Sequence, residues 1–272
     1  MTSDIELKCA NLREKLKSLR RVAVAFSGGA DSAFLLKFAH DALKSNVVAI
    51  IVKLIGSPVG DVEFAAEFCK ANSIDYKILE FDEFAIEGFA ENTKERCYIC
   101  KLALFSKIIN EAKSQGFDQV VDGTNYDDLF DFRPGLRALR ELSVTSPLAE
   151  GKFSKKDILE LLKEMGLKDV AQRQTSACLS SRVPLGTKIT KEKLSVIKEG
   201  EQLLSKIGFN RIRVRHNGEV AVIETGEEGF ALAIRKKQEI VVAIKALGFK
   251  RVVIDLEGYR TGSTNEKLEV DA

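Results

Sequence analysis

At 272 residues the chain is long enough for one large domain or two smaller ones, and 45% hydrophobic with 30% charged residues is the balance of a folded globular protein. The 42 basic and 40 acidic residues leave a net charge of +2, which gives no reason to invoke a nucleic-acid or membrane surface. Five cysteines, an odd number, argue against a disulfide framework and point to core packing, metal binding or catalysis.

Residues 1–19 are charged and carry Ile5, Cys9, Leu12, Leu16 and Leu19 at helical spacing, so they read as a helix rather than a leader. No apolar run is long enough for a bilayer, and a cytoplasmic location is expected. Residues 22–26 are an unbroken apolar run suited to a strand buried on both faces of a parallel sheet. The run ends in Ser27-Gly28-Gly29-Ala30-Asp31-Ser32, after which Phe34, Leu35 and Phe38 recur at helical spacing. The glycine pair therefore stands where a strand turns into a helix. Such a turn suits a phosphate: residues without Cβ allow close approach, backbone N–H groups point at the anion, and the helix dipole favours negative charge. Ser27 and Ser32 add hydroxyl donors, and Asp31 is placed to hold Mg²⁺ against the phosphate. A purely steric Gly-Gly turn is the bland alternative.

A second strand over 46–55, a helix over 61–72 with Phe64, Phe68 and Cys69 on one face, and a strand over 76–81 follow. A long helical region is expected over 84–114. The strand 119–122 breaks at Gly123-Thr124-Asn125-Tyr126-Asp127-Asp128, a polar loop that either faces the same ligand from across the sheet or is a plain strand exit. Arg133, Arg137 and Arg140 come next, and Ser154 with Asp157 makes a capping box for a helix buried through Ile158, Leu161, Leu162 and Met165. The alternation implies an α/β fold, a doubly wound parallel sheet whose ligand lies beyond the carboxyl ends of its strands. Residues 174–186 have neither period and read as a hinge, giving domains over 1–185 and 186–272. The second reads as a small α+β domain: a helix through Leu194, Ile197 and Leu204, a hairpin turning at Asn217-Gly218, a helix over 230–247 and a strand over 251–256. The polar tail after Glu257 is expected to be partly disordered.

The cysteines separate by context. Cys9 and Cys69 fall on apolar helix faces and read as core. Cys97 and Cys100 are spaced for neighbouring helical positions, and three uses stand open: a redox dithiol, half of a zinc site, or, with Cys178, three ligands of a [4Fe–4S] cluster. Cys178 lies in the hinge near Arg182, where a lowered thiol pKa would make it a nucleophile or ligand. Arg213 and Arg215 alternate along one strand, as a phosphate or carboxylate clamp or as a solvated basic edge.

Ser-Gly-Gly-x-Asp-Ser after an apolar strand resembles the PP-loop of ATP pyrophosphatases and lacks the Gly-Lys of a Walker A loop. Over nearly its whole length the chain resembles the LarE family, ATP-dependent sulfur transferases of nickel-pincer cofactor biosynthesis. The matching stretches include Asp122-Gly-Thr-Asn, Arg133-Pro-Gly, Ser176-Ala-Cys-Leu-Ser-Ser-Arg-Val-Pro and Asp255-Leu-Glu-Gly-Tyr-Arg-Thr-Gly-Ser. The resemblance implies that Ser27, Gly28, Gly29, Asp31, Ser32, Gly123, Thr124, Asn125 and Arg133 hold ATP with Mg²⁺. The substrate is then a pyridinium dicarboxylate mononucleotide, adenylated on a carboxylate with loss of pyrophosphate. In one branch of the family the cysteine matching Cys178 gives up its own sulfur. In another, that cysteine and a Cys-x-x-Cys pair hold a [4Fe–4S] cluster, and Cys97 with Cys100 places this chain there. The resemblance also implies a catalytic role for Cys178 and Glu201, substrate binding by Arg182, Arg213 and Arg215, and a divalent-ion contact at Glu224. A sulfide source or desulfurase as partner and a homo-oligomer, a hexamer, are further implications. The rivals are an amidating ligase, a tRNA-thiolating enzyme and a nucleotide-binding sensor.

Overall fold

The computed structural model describes residues 3–130, 133–173 and 177–260. By internal contacts the chain divides into two compact units, the first of residues 1–54, 60–86 and 95–175, the second of residues 55–59, 87–94 and 176–272. Residues 176–185, read from sequence with the first domain, cluster with the second unit. The hinge residues 174–176 and the tail from 261, including the end of the Gly-Tyr-Arg-Thr-Gly-Ser motif, lie outside the described residues.

The first unit runs α1 (Ser3–Leu19), β1 (Val22–Ala25), α2 (Ala30–Leu43), β2 (Val47–Leu54), α3 (Asp61–Ala71), β3 (Asp75–Phe81), α4 (Arg96–Ser114), β4 (Gln119–Asp122), α5 (Gly135–Glu141), α6 (Pro147–Glu150), α7 (Lys155–Glu164) and α8 (Lys168–Gln172). Its sheet has the order β3-β2-β1-β4 and is parallel throughout, as the strand–helix alternation predicts. The period of two along β1 assigns its faces: Val22 and Val24 pack with Leu12, Leu16, Phe34 and Leu162, whereas Ala23 packs with Phe105 and Ile108. Helices therefore cover both sides. Because β1 is interior and buried at Val22, Ala23 and Val24, the loop that leaves its carboxyl end starts from a fixed point.

One helix differs from expectation. The region 84–114 is α-helical only from Arg96, after a single 3-10 turn over Glu83–Ala85; Asn92 has φ +56° and residues 87–94 belong to the second unit. The buried Asn92 amide donates to the carbonyls of Val183, Pro184 and Thr187, which explains why the chain leaves the first unit there. The capping box at Ser154 and Asp157 is present with both of its hydrogen bonds.

The second unit contains a one-turn 3-10 segment (Leu179–Arg182), α9 (Lys191–Ile207), β5 (Ile212–Asn217), β6 (Val220–Thr225), α10 (Glu227–Arg235), α11 (Lys237–Lys245) and β7 (Arg251–Ile254). The order is β5-β6-β7, with β5 antiparallel and β7 parallel to β6. Asn217 pairs with Val220, so the hairpin turns at Gly218 and Glu219, one residue later than the Asn-Gly signal places it. The predicted helix over 230–247 is two helices broken at Lys236. Of the tail after Glu257, residues 258–260 are described: Gly258 is buried and the Tyr259 N–H donates to the Thr225 carbonyl at 2.8 Å. Among the described residues no helix is long and apolar enough to cross a membrane.

Candidate active site

In the first unit, the loop after β1 and the loop after β4 leave adjacent strands and line one cavity of about 320 Å³, a size suited to a small ligand. The second loop therefore stands beside the first rather than across the sheet. Gly123 makes this possible: a Cβ there would lie 2.7 Å from the Ser32 nitrogen and 2.8 Å from its Cα. Gly28 has φ +80°, and a Cβ on it would come within 3.0 Å of the Asp61 carbonyl oxygen. Ser27 and Ser32 share a hydrogen bond at 3.1 Å, and the Ser32 hydroxyl donates to the Gly29 carbonyl at 3.0 Å. Ile50, Val52, Leu54, Leu104, Phe105 and Ile108 form an apolar wall, so the cavity has a polar end at the start of α2 and an apolar flank.

Charged groups surround the polar end. Lys155 at the start of α7 reaches both oxygens of Asp31 at 2.8 Å. Asp128 and Asn125 exchange backbone-to-side-chain bonds at 3.1 Å, and Arg133 pairs with Asp128 at 2.8 Å. Burial pushes the Asp128 carboxyl up, against the pull of the Asn125 N–H and Arg133. Asp122 is buried and accepts from Thr124 at 2.5 Å and Ser146 at 2.6 Å. Lys101 stands 3.8 Å from it; burial pushes this ammonium down from its ordinary value while Asp122 holds it up.

In the second unit, Cys178 is exposed and precedes the 3-10 turn. Arg182 is fully buried: Nε donates to Glu201 at 3.0 Å and Nη1 to the carbonyls of Ala177 at 2.7 Å and Cys178 at 3.3 Å. Glu201 also accepts from the Val214 N–H at 3.1 Å. Arg215 pairs with both oxygens of Glu224 and donates to the Ser181 carbonyl at 3.0 Å. Arg213 is stacked on Tyr259, 4.1 Å to the ring centroid, and donates to its hydroxyl at 3.0 Å. The cysteine loop is thus braced onto the hairpin by two guanidinium groups. Arg182, Arg213 and Arg215 lie with Glu201 and Glu224, and the buried Arg213 Nε has no hydrogen-bond partner among the described residues. Burial and the neighbouring arginines push the Arg213 guanidinium down.

A family model described as NAD synthase matches residues 5–124. Over 264 residues, 96% of this chain and 95% of the relative, the sequence is 33% identical to the pyridinium-3,5-bisthiocarboxylic acid mononucleotide synthase of Lactiplantibacillus plantarum. The chain belongs to the LarE family. It is also 37% identical over 254 residues to an uncharacterised protein of Methanocaldococcus jannaschii. To an NH(3)-dependent NAD(+) synthetase of Campylobacter jejuni it is 32% identical over 93 residues, 32% of this chain and 37% of that protein. As a LarE-family enzyme with a PP-loop domain it is ATP-dependent, and the loop after β1 is that PP-loop.

Against this family background the geometry separates the residues read from sequence. Ser27, Gly29, Asp31, Ser32, Gly123, Thr124 and Arg133 line the cavity, and Asn125 is buried behind it through Asp128. Cys97 and Cys100 lie one turn apart at the start of α4, exposed and half-buried, and Arg96 donates to the Cys97 sulfur at 3.4 Å. Among the described residues no group of three or more cysteine, histidine or acidic side chains is gathered as a metal site. Glu224, read as a divalent-ion contact, gives both oxygens to Arg215 with Arg213 4.0 Å away; a carboxylate between two guanidinium groups is a poor seat for a cation. The basic strand lies at a sheet edge, yet Arg213 is buried, so it is no solvated edge. Cys69 is core, with burial pushing its thiol up to about 12, and Cys9 packs against the same cluster. Asp122 and Asp128 were read only as members of the polar loop and its motif, with no role of their own, and Lys101, Lys155 and Arg173 were given no role from the sequence. For Lys101, its place one residue after Cys100 was the one available signal.

Proposed function

We propose that this LarE-family enzyme adenylates a carboxylate of a pyridinium-3,5-dicarboxylate mononucleotide and then delivers sulfur to give the thiocarboxylate. The similarity to the Lactiplantibacillus synthase over 96% of the chain carries the reading, and the PP-loop cavity supports it. The substrate carboxylate oxygen attacks the α-phosphorus of ATP, the bond to the bridging oxygen breaks, and pyrophosphate leaves. Sulfide then attacks the acyl carbon and AMP departs with its electron pair. A free carboxylate has no such leaving group, which is why ATP is spent.

The residues take their roles from their surroundings. The N–H groups at the start of α2, with Ser27 and Ser32, bind the phosphates, and the apolar flank takes the adenine. Asp31 and Asp128 suit Mg²⁺, which binds through one or two carboxylates and the phosphates themselves; the cation would take the place of the Lys155 ammonium at Asp31. Lys101 and Arg133 place positive charge where negative charge develops on the leaving pyrophosphate. In the second unit Arg213 and Arg215 bind the phosphate of the mononucleotide, an anion that would accept from the buried Arg213 Nε. Arg182 and Glu201 hold the loop of Cys178 in place. Cys97 and Cys100, thiols one helical turn apart, suit two ligands of a [4Fe–4S] cluster, with Cys178 as the third. When bound, such a cluster would supply sulfide through its fourth iron. A sulfide source or desulfurase would be the partner, in a cytoplasmic homo-oligomer.

Protein purified without oxygen is expected to contain about four iron and four acid-labile sulfide per chain and to release pyrophosphate when given ATP and the mononucleotide. Retention of iron and of sulfur transfer in Cys97→Ser would overturn the cluster. The NAD synthase match over residues 5–124 favours a second reading, amide formation with ammonia. Ammonia-dependent product in Cys97→Ser and Cys178→Ser variants would decide for it.

A further inference from the structure

Arg173 lies outside every motif above. It follows α8, and its guanidinium joins three parts of the first unit. Nη1 donates to the Gly28 carbonyl at 3.0 Å, while Nη2 donates to Asp61 Oδ1 at 2.6 Å and to the Gly60 carbonyl at 3.5 Å. The guanidinium lies over the Phe64 ring, 4.1 Å from its centroid. The Arg173 and Asp61 side chains are 19% and 17% exposed, so the pair is held in a largely dry setting. Burial pushes the Asp61 carboxyl up and Arg173 draws it back.

The Gly28 carbonyl and the Gly29 N–H belong to one trans peptide, and in a trans peptide they point in opposite directions. Whatever fixes the carbonyl fixes the N–H. The peptide needs fixing, because glycines on both sides, one of them at φ +80°, let its plane rotate at little cost. In this structure the carbonyl points to Arg173, and the N–H points to the Ser27 hydroxyl at 3.3 Å, on the side where Ser27 and Gly29 line the cavity.

We infer that Arg173 is a positioning residue for ATP: by holding the Gly28 carbonyl outside the PP-loop, it presents the Gly29 N–H to the triphosphate. It touches no reacting atom. The planar fork suits the task, since its separate N–H groups serve the loop carbonyl and the Asp61 carboxylate at once, which a single ammonium does less well. The inference rests on the reading of this cavity as the ATP site.

The test uses the full chain, with the dissociation constant of an α,β-methylene analogue of ATP and Mg²⁺ as the first readout and steady-state pyrophosphate release as the second. In Arg173→Gln the dissociation constant and the KM for ATP are expected to rise about tenfold, the loss of one well-aimed donor, with kcat within about twofold. Asp61→Asn keeps Arg173 on Gly28 while removing the ion pair. It should lower the thermal midpoint and leave the dissociation constant within about twofold. Arg173→Lys is expected to fall between, near threefold. Equal losses of affinity in Arg173→Gln and Asp61→Asn would mark a merely structural role and overturn the inference. So would unchanged affinity in Arg173→Gln or, should that variant not fold, in Arg173→Lys. A native chain that binds no Mg²⁺ and ATP analogue would instead overturn the ATP reading, and the inference with it.

Discussion

Replacing Gly123 with alanine would set a methyl carbon 2.7 Å from the Ser32 nitrogen, 2.8 Å from its Cα and 3.0 Å from its Cβ. Non-bonded carbons rest at about 3.5–4.0 Å, so the loop after β4 and the first turn of α2 must part by roughly 0.7–1 Å. Two of the three atoms met are backbone, which cannot swing aside. Overpacking of this kind costs about 1–3 kcal/mol. The larger effect is on rate, because the two displaced segments are two walls of the PP-loop cavity, and an error near 1 Å in a reacting site costs on the order of 10²-fold. Gly166→Ala is the control: φ is +79° with nothing within 4 Å, so it carries backbone strain alone, about 1–2 kcal/mol. Thermal unfolding and pyrophosphate release, measured on both variants, are expected to show similar losses of stability but a fall in rate, about 10²-fold, only in Gly123→Ala. Equal rates in the two variants would refute the claim that the spacing of these two loops sets catalysis.

Two more outcomes follow from the second unit. Glu201→Gln keeps the shape but removes a carboxylate charge from beside a fully buried Arg182, and urea unfolding should register a loss of up to about 3–5 kcal/mol; an unchanged midpoint would mean the pair is dispensable. His216 packs on Phe249, and burial, with a smaller push from Lys193, holds its imidazole below the ordinary 6.5. The unfolded chain therefore takes up this proton first, and stability falls as pH drops below that value. Between about pH 7.5 and about pH 5.5 the native melting temperature should fall more than that of His216→Phe, and identical slopes would exclude the histidine as the cause.

What could be read from the sequence was what local patterns carry. The apolar run before Ser27 and the capping box at Ser154 are each written within a few neighbouring residues, and the parallel sheet follows from their alternation. The Asn-Gly signal located the hairpin but missed its turn by one residue, since the pairing of Asn217 with Val220 is decided by the register of two whole strands. The false helix start at residue 84 had another cause: a side chain, Asn92, spends its hydrogen bonds on carbonyls some ninety residues away. Distance also hid the charged partners of the PP-loop. Lys155 and Arg173 each meet the PP-loop across more than a hundred residues, and an isolated basic residue on a helix has no periodicity to betray such a partner. Arg182 was visible as a residue beside a cysteine, but only burial shows that its bonds go to the loop's carbonyls and to Glu201.

The second unit is assembled from three separated stretches of chain. The Gly56 carbonyl waits for the N–H of Leu179, and Ala90 and Asn92 for those of Ile189 and Gly186. On the ribosome, residues 55–59 and 87–94 emerge long before the segment that will receive them, while the parallel sheet around β1 can already close. The short stretches are therefore carried as open loops of a nascent first unit until the last third of the polypeptide is made. Late closure of such distant contacts is slow, and it sets an order of events in which the PP-loop cavity, lined by the first unit alone, can form before the arginine-braced cysteine loop exists.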